Sequence, residues 1–305
     1  MAAKWTIQDI PDLSGRTAVV TGSNSGIGLE IARILASNGA RVLMACRSKD
    51  KAEAAASGIR DRITKGSVEF VSLDLASLAS IDAASSSLCA NESSLDLLVN
   101  NAGLMALDLA FTEDGFEMQF GVNHLGHFAF TAGLMPLLLA TPGSRIVTMS
   151  SQGHRAGRMN LDDPMYQKRT YRRWMAYSQS KLANLLFALE LQRRLGSNSP
   201  TQSLAAHPGM SHTDLGFEGS SFSNRFLRRA VPYFTQSAAS GALPAVRAGT
   251  DPGASGGEYY GPMFMAAGPP VKETPSGRAR NIDDAKHLWE LSEQLTARKF
   301  VTSLG

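Results

Sequence analysis

Residues 17–28 read TAVVTGSNSGIG, in which a β-branched apolar run ends directly in a glycine-rich turn. A helical pattern begins at Gly26. Glycines let such a turn bend sharply and approach a pyrophosphate, and the helix that follows offers unpaired N–H groups and the positive end of its dipole. A purely structural turn is the alternative, but the position between the first strand and a helix favours nucleotide binding. The predicted phosphate loop comprises Gly22, Ser23, Asn24, Ser25, Gly26, Ile27 and Gly28.

Short apolar runs alternate with longer helical patterns along the rest of the chain. A parallel strand pair needs a crossover long enough to hold a helix, so this alternation predicts βαβ units. The predicted strands are Thr17–Thr21, Arg41–Ala45, Val68–Leu73, Asp96–Asn100, Arg145–Ser150 and Gln202–His207. The predicted helices are Gly26–Asn38, Lys49–Thr64, Leu78–Ala90, Gly115–Leu139 and Met175–Leu195.

The alternation predicts an α/β fold, a Rossmann-type doubly wound parallel sheet flanked by helices, in a single domain over residues 1–305. Its core would span residues 13–213, a substrate lid residues 214–240, and C-terminal helices with a short edge strand residues 241–305. GGEYYGP at 256–262 would be that edge strand, and Asp283–Arg298 the last amphipathic helix. The lid segment is rich in large apolar side chains, which predicts a lipophilic substrate, although these side chains would pack equally well on the core. They are Phe217, Phe222, Phe226, Leu227, Tyr233 and Phe234.

Composition excludes several classes of protein. The 43% hydrophobic and 19% charged residues are typical of a soluble globular chain. The 30 basic and 27 acidic side chains leave a formal charge of +3, which predicts neither a nucleic-acid nor a membrane surface. Cys46 and Cys89 are too few for a disulfide framework or a zinc site and suit a reducing compartment. Because residues 1–13 lack the apolar core of a signal peptide, we expect a cytoplasmic protein.

One long segment, residues 118–144, contains no Asp, Glu, Lys or Arg. A membrane span needs about 20 mainly apolar residues. Polar residues, glycines and a proline interrupt this run, so we interpret it as a long helix buried under the sheet. The interruptions are Gln119, Asn123, His124, Gly126, His127, Gly133 and Pro136.

The end of the second predicted strand indicates which dinucleotide is bound. An acidic residue there would accept the ribose hydroxyls of NAD, whereas a cation accommodates the extra phosphate of NADP. This chain has Arg47, whose guanidinium suits a phosphate dianion, so NADP(H) is the predicted cofactor; a solvated loop charge is the alternative. After the third strand, Asp74 and Leu75 are predicted at the adenine, with Asp74 either accepting from its amino group or capping the next helix.

Tyr177 and Lys181 stand four residues apart in a helical pattern, which places both on one face. A tyrosine with an ordinary pKa of about 10 is a poor proton donor and a worse base at neutral pH. Lowering it by about 3 units takes about 4 kcal/mol of preferential stabilisation of the phenolate. A neighbouring ammonium and an oxidised nicotinamide are two positive charges suited to that task.

Five motifs occur in the order and at the strand ends that a known family shows. They are TGSNSGIG at 21–28, Asn100-Asn101-Ala102-Gly103, Ser150-Ser151, Tyr177-xxx-Lys181 and Pro208-Gly209-xxx-Thr213. From about Leu13 to Thr213 the chain closely resembles the short-chain dehydrogenase/reductase family. The stretches GVNHLGHF at 121–128 and YSQSKLAN at 177–184 resemble its retinol dehydrogenase and protochlorophyllide reductase branch.

The resemblance implies a catalytic set. Tyr177 would be the general acid or base, and Lys181 would lower its pKa and hold the nicotinamide ribose. Ser151 would bind the substrate oxygen, with Ser150 as the alternative hydroxyl. Asn123 would anchor a water linked to Lys181, or else satisfy buried backbone groups.

The resemblance also implies further contacts with the cofactor. Asn101, Ala102 and Gly103 would pass close to the adenine-side ribose. The segment with Pro208, Gly209 and Thr213 would hold the nicotinamide carboxamide; Gly103 and Gly209 are alternatively present only for positive φ angles. No metal site is predicted, because the histidines at 124, 127, 154, 207 and 212 lack the spacing and companions of ligands.

The predicted function is an NADP(H)-dependent oxidoreductase that interconverts a carbonyl and an alcohol, on a lipophilic aldehyde or ketone. One alternative is a sensor or scaffold that binds NADP(H) without turnover, although all four catalytic positions are filled. Another is a protochlorophyllide reductase-like enzyme, which Asn184 disfavours because that branch has a cysteine nearby.

The basic segment Gln152–Trp174 is longer than in shorter family members. It would wall the substrate pocket, block the helix pairing used by tetrameric relatives, or form a solvated loop. We therefore expect a monomer or homodimer rather than a tetramer. The transmembrane anchor of vertebrate retinol enzymes is missing from this sequence, which predicts a soluble protein and weakens the case for retinoids.

Overall fold

Among the residues that the structure describes, eight strands form one sheet in the order β3-β2-β1-β4-β5-β6-β7-β8. The structure is a computed structural model that describes residues 4–209 and 237–303. All neighbours pair in parallel except β7 and β8, which are antiparallel. The strands are β1 Thr17–Thr21, β2 Arg41–Cys46, β3 Ser67–Ser72, β4 Leu97–Asn100, β5 Ser144–Met149, β6 Thr201–Ala206, β7 Tyr259–Pro262 and β8 Pro270–Glu273.

The chain begins near the middle of the sheet, runs outward to β3, and returns to place β4 on the other side of β1. Val20 of β1 pairs with Met44 of β2 and with Val99 of β4. The strand order reverses at this point, so a crevice opens outside the carboxyl ends of β1 and β4. The predicted doubly wound parallel sheet is confirmed, and its crevice is where the glycine turn lies.

Helices cover both faces of the sheet. Ile31, Ala52 and Val246 belong to one apolar layer, which packs against one face. Phe128 and Phe187 belong to the layer on the other face. The helices are α1 Gly26–Ser37, α2 Lys49–Arg60, α3 Leu78–Asn91, α4 Gly126–Leu139, α5 Arg173–Leu195, α6 Ala238–Thr250 and α7 Ile282–Thr296.

The C-terminal part differs from the sequence prediction in two respects. The strand predicted as the sheet edge is β7, and β8 pairs along its outer side from Tyr259↔Glu273 to Pro262↔Pro270. Helix α6 begins at Ala238, inside the predicted lid, with the Ser237 hydroxyl accepting from the Ser240 amide. The rest of the predicted lid, including all its aromatic side chains, lies outside the described residues.

The uncharged segment is a buried helix, as predicted, but it starts later and is irregular. Gly115 has a φ of +80° in a turn, and the Glu117 carboxylate then accepts from the Gln119 and Phe120 amides. A wide π-helical turn, Gly121–Leu125, follows before α4 begins. Within the described ranges, no helix is long and apolar enough to span a bilayer.

Candidate active site

A cavity of about 390 Å³ lies at the carboxyl ends of the parallel strands. Arg47 lies at one end of it and Tyr177 at the other. The predicted site residues that line it are Gly22, Asn24, Ser25, Gly26, Ile27, Arg47, Asp74, Leu75, Asn101, Ala102, Gly103, Tyr177, Lys181 and Pro208. Ser23, Gly28, Asn123, Ser151 and Gly209 do not line it, and Thr213 lies outside the described residues.

The glycine turn fits tightly between β1 and the segment that follows β4. Gly22 has a φ of +64°, and a Cβ there would come within 2.9 Å of the Ala102 Cα. A Cβ on Gly28 would lie 2.5 Å from the side-chain nitrogen Asn101 Nδ2. Ser25 makes no side-chain capping bond, so the first amides of α1 stay available to an anion. The buried Ser23 hydroxyl instead donates to the Val20 carbonyl at 2.9 Å.

A buried hydroxyl holds the Asn101–Ala102 segment against β1. Thr21 Oγ1 accepts from the amides of Asn101 and Ala102, each at 2.9 Å. His127 Nδ1 donates to the Asn123 carbonyl at 3.0 Å, so Nε2 of the neutral ring accepts from the Thr21 hydroxyl, 2.9 Å away. The Val99 carbonyl is a more distant acceptor for that hydroxyl, at 3.4 Å. Burial lowers the pKa of His127 to about 4, so the ring is neutral. His127 is thus a core histidine that also positions the Asn101–Ala102 segment through Thr21, a role that the sequence did not reveal.

The Arg47 end of the cavity carries two cations. The Arg47 side chain is 78% exposed, with its nearest acid, Asp74, 4.0 Å away. Asp74 Oδ1 accepts from the Ala76 amide at 2.9 Å. The cap of α3 is instead Ser77, whose hydroxyl accepts from the Ser80 amide, so Asp74 does not cap that helix. Ser48 and Lys51 also line this end.

At the other end, α5 presents Tyr177 and Lys181 one turn apart. Lys181 Nζ lies 6.0 Å from the centre of the Tyr177 ring and donates to the Met149 carbonyl at 3.2 Å. Both side chains are buried, and burial lowers the pKa of Lys181 to about 8. Burial also raises the pKa of Tyr177, an effect that a hydrogen bond with Ser151 opposes.

The two serines after β5 have different partners. The Ser151 hydroxyl is hydrogen-bonded to Tyr177 and accepts from the Gly153 amide at 3.1 Å. The Ser150 hydroxyl is buried and donates to the Lys181 carbonyl at 2.8 Å. Of the two alternatives, Ser151 is therefore the hydroxyl beside the tyrosine.

Asn123 lies in the π-helical turn, and its side chain is fully engaged. Its Oδ1 accepts from the Leu104 amide at 2.7 Å, and its Nδ2 donates to the Leu104 carbonyl and to Ser180 Oγ, each at 2.9 Å. These contacts agree with the alternative that Asn123 satisfies buried backbone groups. A water that links Asn123 to Lys181 stays a prediction. A Cβ on Gly103 would lie 3.2 Å from Lys181 Nζ and 3.3 Å from Asn123 Oδ1, so a larger residue there would have to displace these two side chains slightly.

Comparison with known proteins agrees with this geometry. A family model described as short chain dehydrogenase matches residues 16–221. The chain belongs to the short-chain dehydrogenase family.

Its relatives place this short-chain dehydrogenase in the retinol dehydrogenase-like branch. Human retinol dehydrogenase 13 is 39% identical over 289 residues, which cover 93% of this chain and 85% of that protein. Human retinol dehydrogenase 12 is 40% identical over 285 residues, 93% of this chain and 87% of that protein.

Solved structures share the fold. An uncharacterized protein from Mycobacterium paratuberculosis is 42% identical with a TM-score of 0.81, over 98% of this chain and 100% of that one. A candidate NAD(P)-dependent gluconate 5-dehydrogenase from Beutenbergia cavernae, with NADP bound at low occupancy, is 27% identical with a TM-score of 0.61, over 79% of this chain and 91% of that one.

The basic segment 152–174 of this dehydrogenase is fastened to the cavity wall. Tyr171 Oη is 3.1 Å from the Leu107 carbonyl and 3.0 Å from the Glu117 carboxylate. Gln119 donates to Tyr171 Oη at 2.8 Å and accepts from the Ala106 amide at 2.7 Å. Since Leu107 lines the cavity, the end of the segment supports the pocket wall and is not a freely solvated loop.

The histidines at 124, 127, 154 and 207 lie within the described residues, whereas His212 does not. In the part of the chain that the structure describes, no three His, Cys, Asp or Glu side chains converge as a cation would need. His124 Nε2 contacts the Ser292 hydroxyl at 2.9 Å, and its ring lies among phenylalanines. His154 Nδ1 contacts the Ser151 carbonyl at 2.7 Å.

Proposed function

We propose that this protein is an NADP(H)-dependent oxidoreductase that interconverts a lipophilic carbonyl compound and its alcohol. The observation that carries the proposal is one continuous cavity, with the Tyr177–Lys181 pair at one end and the exposed Arg47 at the other. The glycine turn lies between these ends. No single one of these features specifies the activity, but the three together suit NADP-dependent interconversion of a carbonyl and an alcohol.

The residues present suit an extended dinucleotide. The close approach at Gly22 leaves no room for a side chain, and the uncapped first turn of α1 offers amides to a pyrophosphate. Arg47 and Lys51 would hold the 2′-phosphate, which is the reason to prefer NADP over NAD. The Beutenbergia cavernae structure with bound NADP supports the choice.

The bound dinucleotide would supply or accept the hydride. The protein's own side chains would transfer the proton and stabilise the charge on the substrate oxygen. Tyr177 would give its hydroxyl proton to the developing alkoxide, and Ser151 would stabilise charge on the same oxygen. Lys181, one turn away, would favour the resulting phenolate.

Apolar side chains line the same cavity, which supports a lipophilic substrate. They include Leu104, Met105, Leu107, Met118, Val122 and Met149. The relatives named retinol dehydrogenases point to the same class of alcohol.

A spectrophotometric screen tests the proposal. NADPH oxidation would be followed at saturating cofactor with aldehydes, ketones and quinones, and NADH would replace NADPH as the control. We expect turnover of apolar aldehydes or ketones with NADPH preferred. NADPH binding without reduction of any compound would favour the sensor alternative instead.

The serine pair offers an internally matched test. We expect Ser151→Ala to lower kcat/KM by about 10²-fold or more, because a donor to the developing oxyanion is lost. Ser150→Ala should change kcat/KM by less than about threefold, since its hydroxyl serves the Lys181 carbonyl. Steady-state kinetics of both variants would decide, and equal losses would contradict the assignment of Ser151.

The cofactor preference is tested at Arg47. We expect Arg47→Ala to weaken NADPH binding by about 10- to 100-fold while NADH binding changes little, because charge-assisted bonds to a phosphate are lost. Lys49→Ala is the control, since Lys49 is exposed nearby but does not line the cavity. Fluorescence titration of both nucleotides measures this, and equal losses for NADPH and NADH would refute a phosphate-binding role.

We also propose a cytoplasmic protein that works as a monomer or homodimer. Cys46 and Cys89 are both free, as a reducing compartment favours.

A further inference from the structure

We infer that His207 and Glu273 form a positioning pair that fixes the Pro208–Gly209 loop at the nicotinamide end of the site. The inference rests on the proposed function, because that function assigns the loop to the nicotinamide. The two side chains come from β8 and the end of β6, and their residues are 66 positions apart in the sequence.

The His207 ring is held in one orientation by its two nitrogens. Gly209 N–H donates to His207 Nδ1 at 3.1 Å, so the ring proton resides on Nε2. That nitrogen then donates to Glu273 Oε1 at 3.1 Å. The ring is fully buried, and the Glu273 side chain is only 13% exposed. The carboxylate therefore fixes the tautomer that the Gly209 amide requires.

The Pro208–Gly209 loop is also closely packed against the β7–β8 hairpin. Gly209 has a φ of +67°, and a Cβ there would come within 2.5 Å of the Ala266 carbonyl oxygen and 2.6 Å of Pro262 Cγ. A Cβ on Gly261 would overlap both the His207 ring and the Glu273 carboxylate. The imidazole is thus confined between the loop and the β7–β8 hairpin, and any change in the ring moves the loop.

The His207–Glu273 pair also contacts the turn that follows Ser151. Gln152 Nε2 donates to Glu273 Oε2 at 3.5 Å; its 3.0 Å approach to His207 Nε2 brings two donors together and is not a hydrogen bond in this tautomer. Arg155 donates to Gln152 Oε1 at 2.7 Å and lies 4.0 Å from Glu273. Gln152 directly follows Ser151, so one carboxylate ties both the serine turn and the Pro208–Gly209 loop. The pair would set the distance between the substrate oxygen and the nicotinamide ring.

The test separates positioning from simple stability. Glu273→Ala removes the acceptor of His207 Nε2, whereas Glu273→Gln keeps an oxygen in its place. Glu258→Ala is the matched control: Glu258 lies beside the same hairpin, where it pairs with Lys272 and Tyr260 and makes no contact with His207. Each variant is titrated with NADPH and with 2′,5′-ADP, a fragment that lacks the nicotinamide half.

We expect Glu273→Ala to bind NADPH about tenfold more weakly and 2′,5′-ADP as tightly as the wild type, because only the nicotinamide end loses its support. Glu273→Gln should restore NADPH affinity to within about threefold, and Glu258→Ala should leave both affinities unchanged. Equal loss of both ligands in Glu273→Ala, or no loss of either, would overturn the inference. If the wild type binds neither ligand, the proposed function itself fails.

Discussion

Replacing Tyr177 by phenylalanine is expected to lower kcat/KM for carbonyl reduction by about 10²- to 10⁴-fold while NADPH affinity stays within about threefold of the wild type. The substitution removes the hydroxyl that contacts Ser151 and keeps the ring that packs edge-on to Trp174 at 6.4 Å. Turnover at saturating NADPH and a fluorescence titration of the cofactor measure the two quantities separately.

A second tyrosine provides the control for this variant. Tyr260 donates to Glu258 and does not line the cavity, so Tyr260→Phe loses a partly buried hydroxyl without touching the site. We expect its kcat/KM to stay within about twofold of the wild type. A Tyr177→Phe enzyme that kept a third or more of wild-type turnover would remove the tyrosine from the mechanism.

Lys181→Met is expected to abolish turnover and, at pH 7, to make the cofactor-free protein more stable. The pKa of Lys181 is about 8 in the fold against 10.5 for an exposed lysine, and burial is the cause. That difference corresponds to at most about 3 kcal/mol of destabilisation by the buried ammonium. The Met149 carbonyl keeps Asn184 as a donor at 3.0 Å, so the substitution leaves that carbonyl paired.

The pH dependence of this effect has a definite sign. Between pH 8 and 10.5 the unfolded chain binds more protons at this lysine than the folded chain does, so stability from this group rises with pH across that window. Below pH 8 the full cost is present in the wild type. We therefore expect Lys181→Met to raise Tm by about 5 °C at pH 7, and the gain to shrink as the pH approaches 10.5.

Calorimetry at several pH values checks this prediction, with Lys286→Met as the comparison because Lys286 is exposed on α7. The exposed substitution should shift Tm by less than about 2 °C. A Lys181→Met protein that melts below the wild type at pH 7 would show that the ammonium does not strain the fold.

The sequence predicted the sheet well where strands are buried on both faces. Residues 42–45 (VLMA) and 97–99 (LLV) are continuous apolar runs, and they lie in the interior strands β2 and β4. Strand β8 escaped detection because four residues reading PVKE show neither apolar continuity nor alternation. C-terminal helices were predicted after residue 240, but the bounds of α6 were not, because Gly241, Pro244 and Gly249 interrupt its pattern. Tertiary packing overrides their low helix propensity.

The sequence predicted the motifs of the site one by one, but it did not predict the hydrogen bonds between their residues. The order of motifs indicated both Ser150 and Ser151, and only the direction of each side chain after the strand separates them. The Thr21–His127 contact joins residues 106 positions apart. A single sequence holds no signal for such a pair, because each residue alone looks like ordinary core.

The wide turn Gly121–Leu125 determines in which direction the side chains of the following helix, α4, face. The Gly126 amide donates to the carbonyl five residues back, at Gly121, instead of four. Each residue of an α-helix turns the chain by about 100°, so removing one residue here would swing the whole of α4 by that angle. His127 would then face away from Thr21. The position of the Asn101–Ala102 segment, which Thr21 holds, therefore depends on the extra residue in this turn.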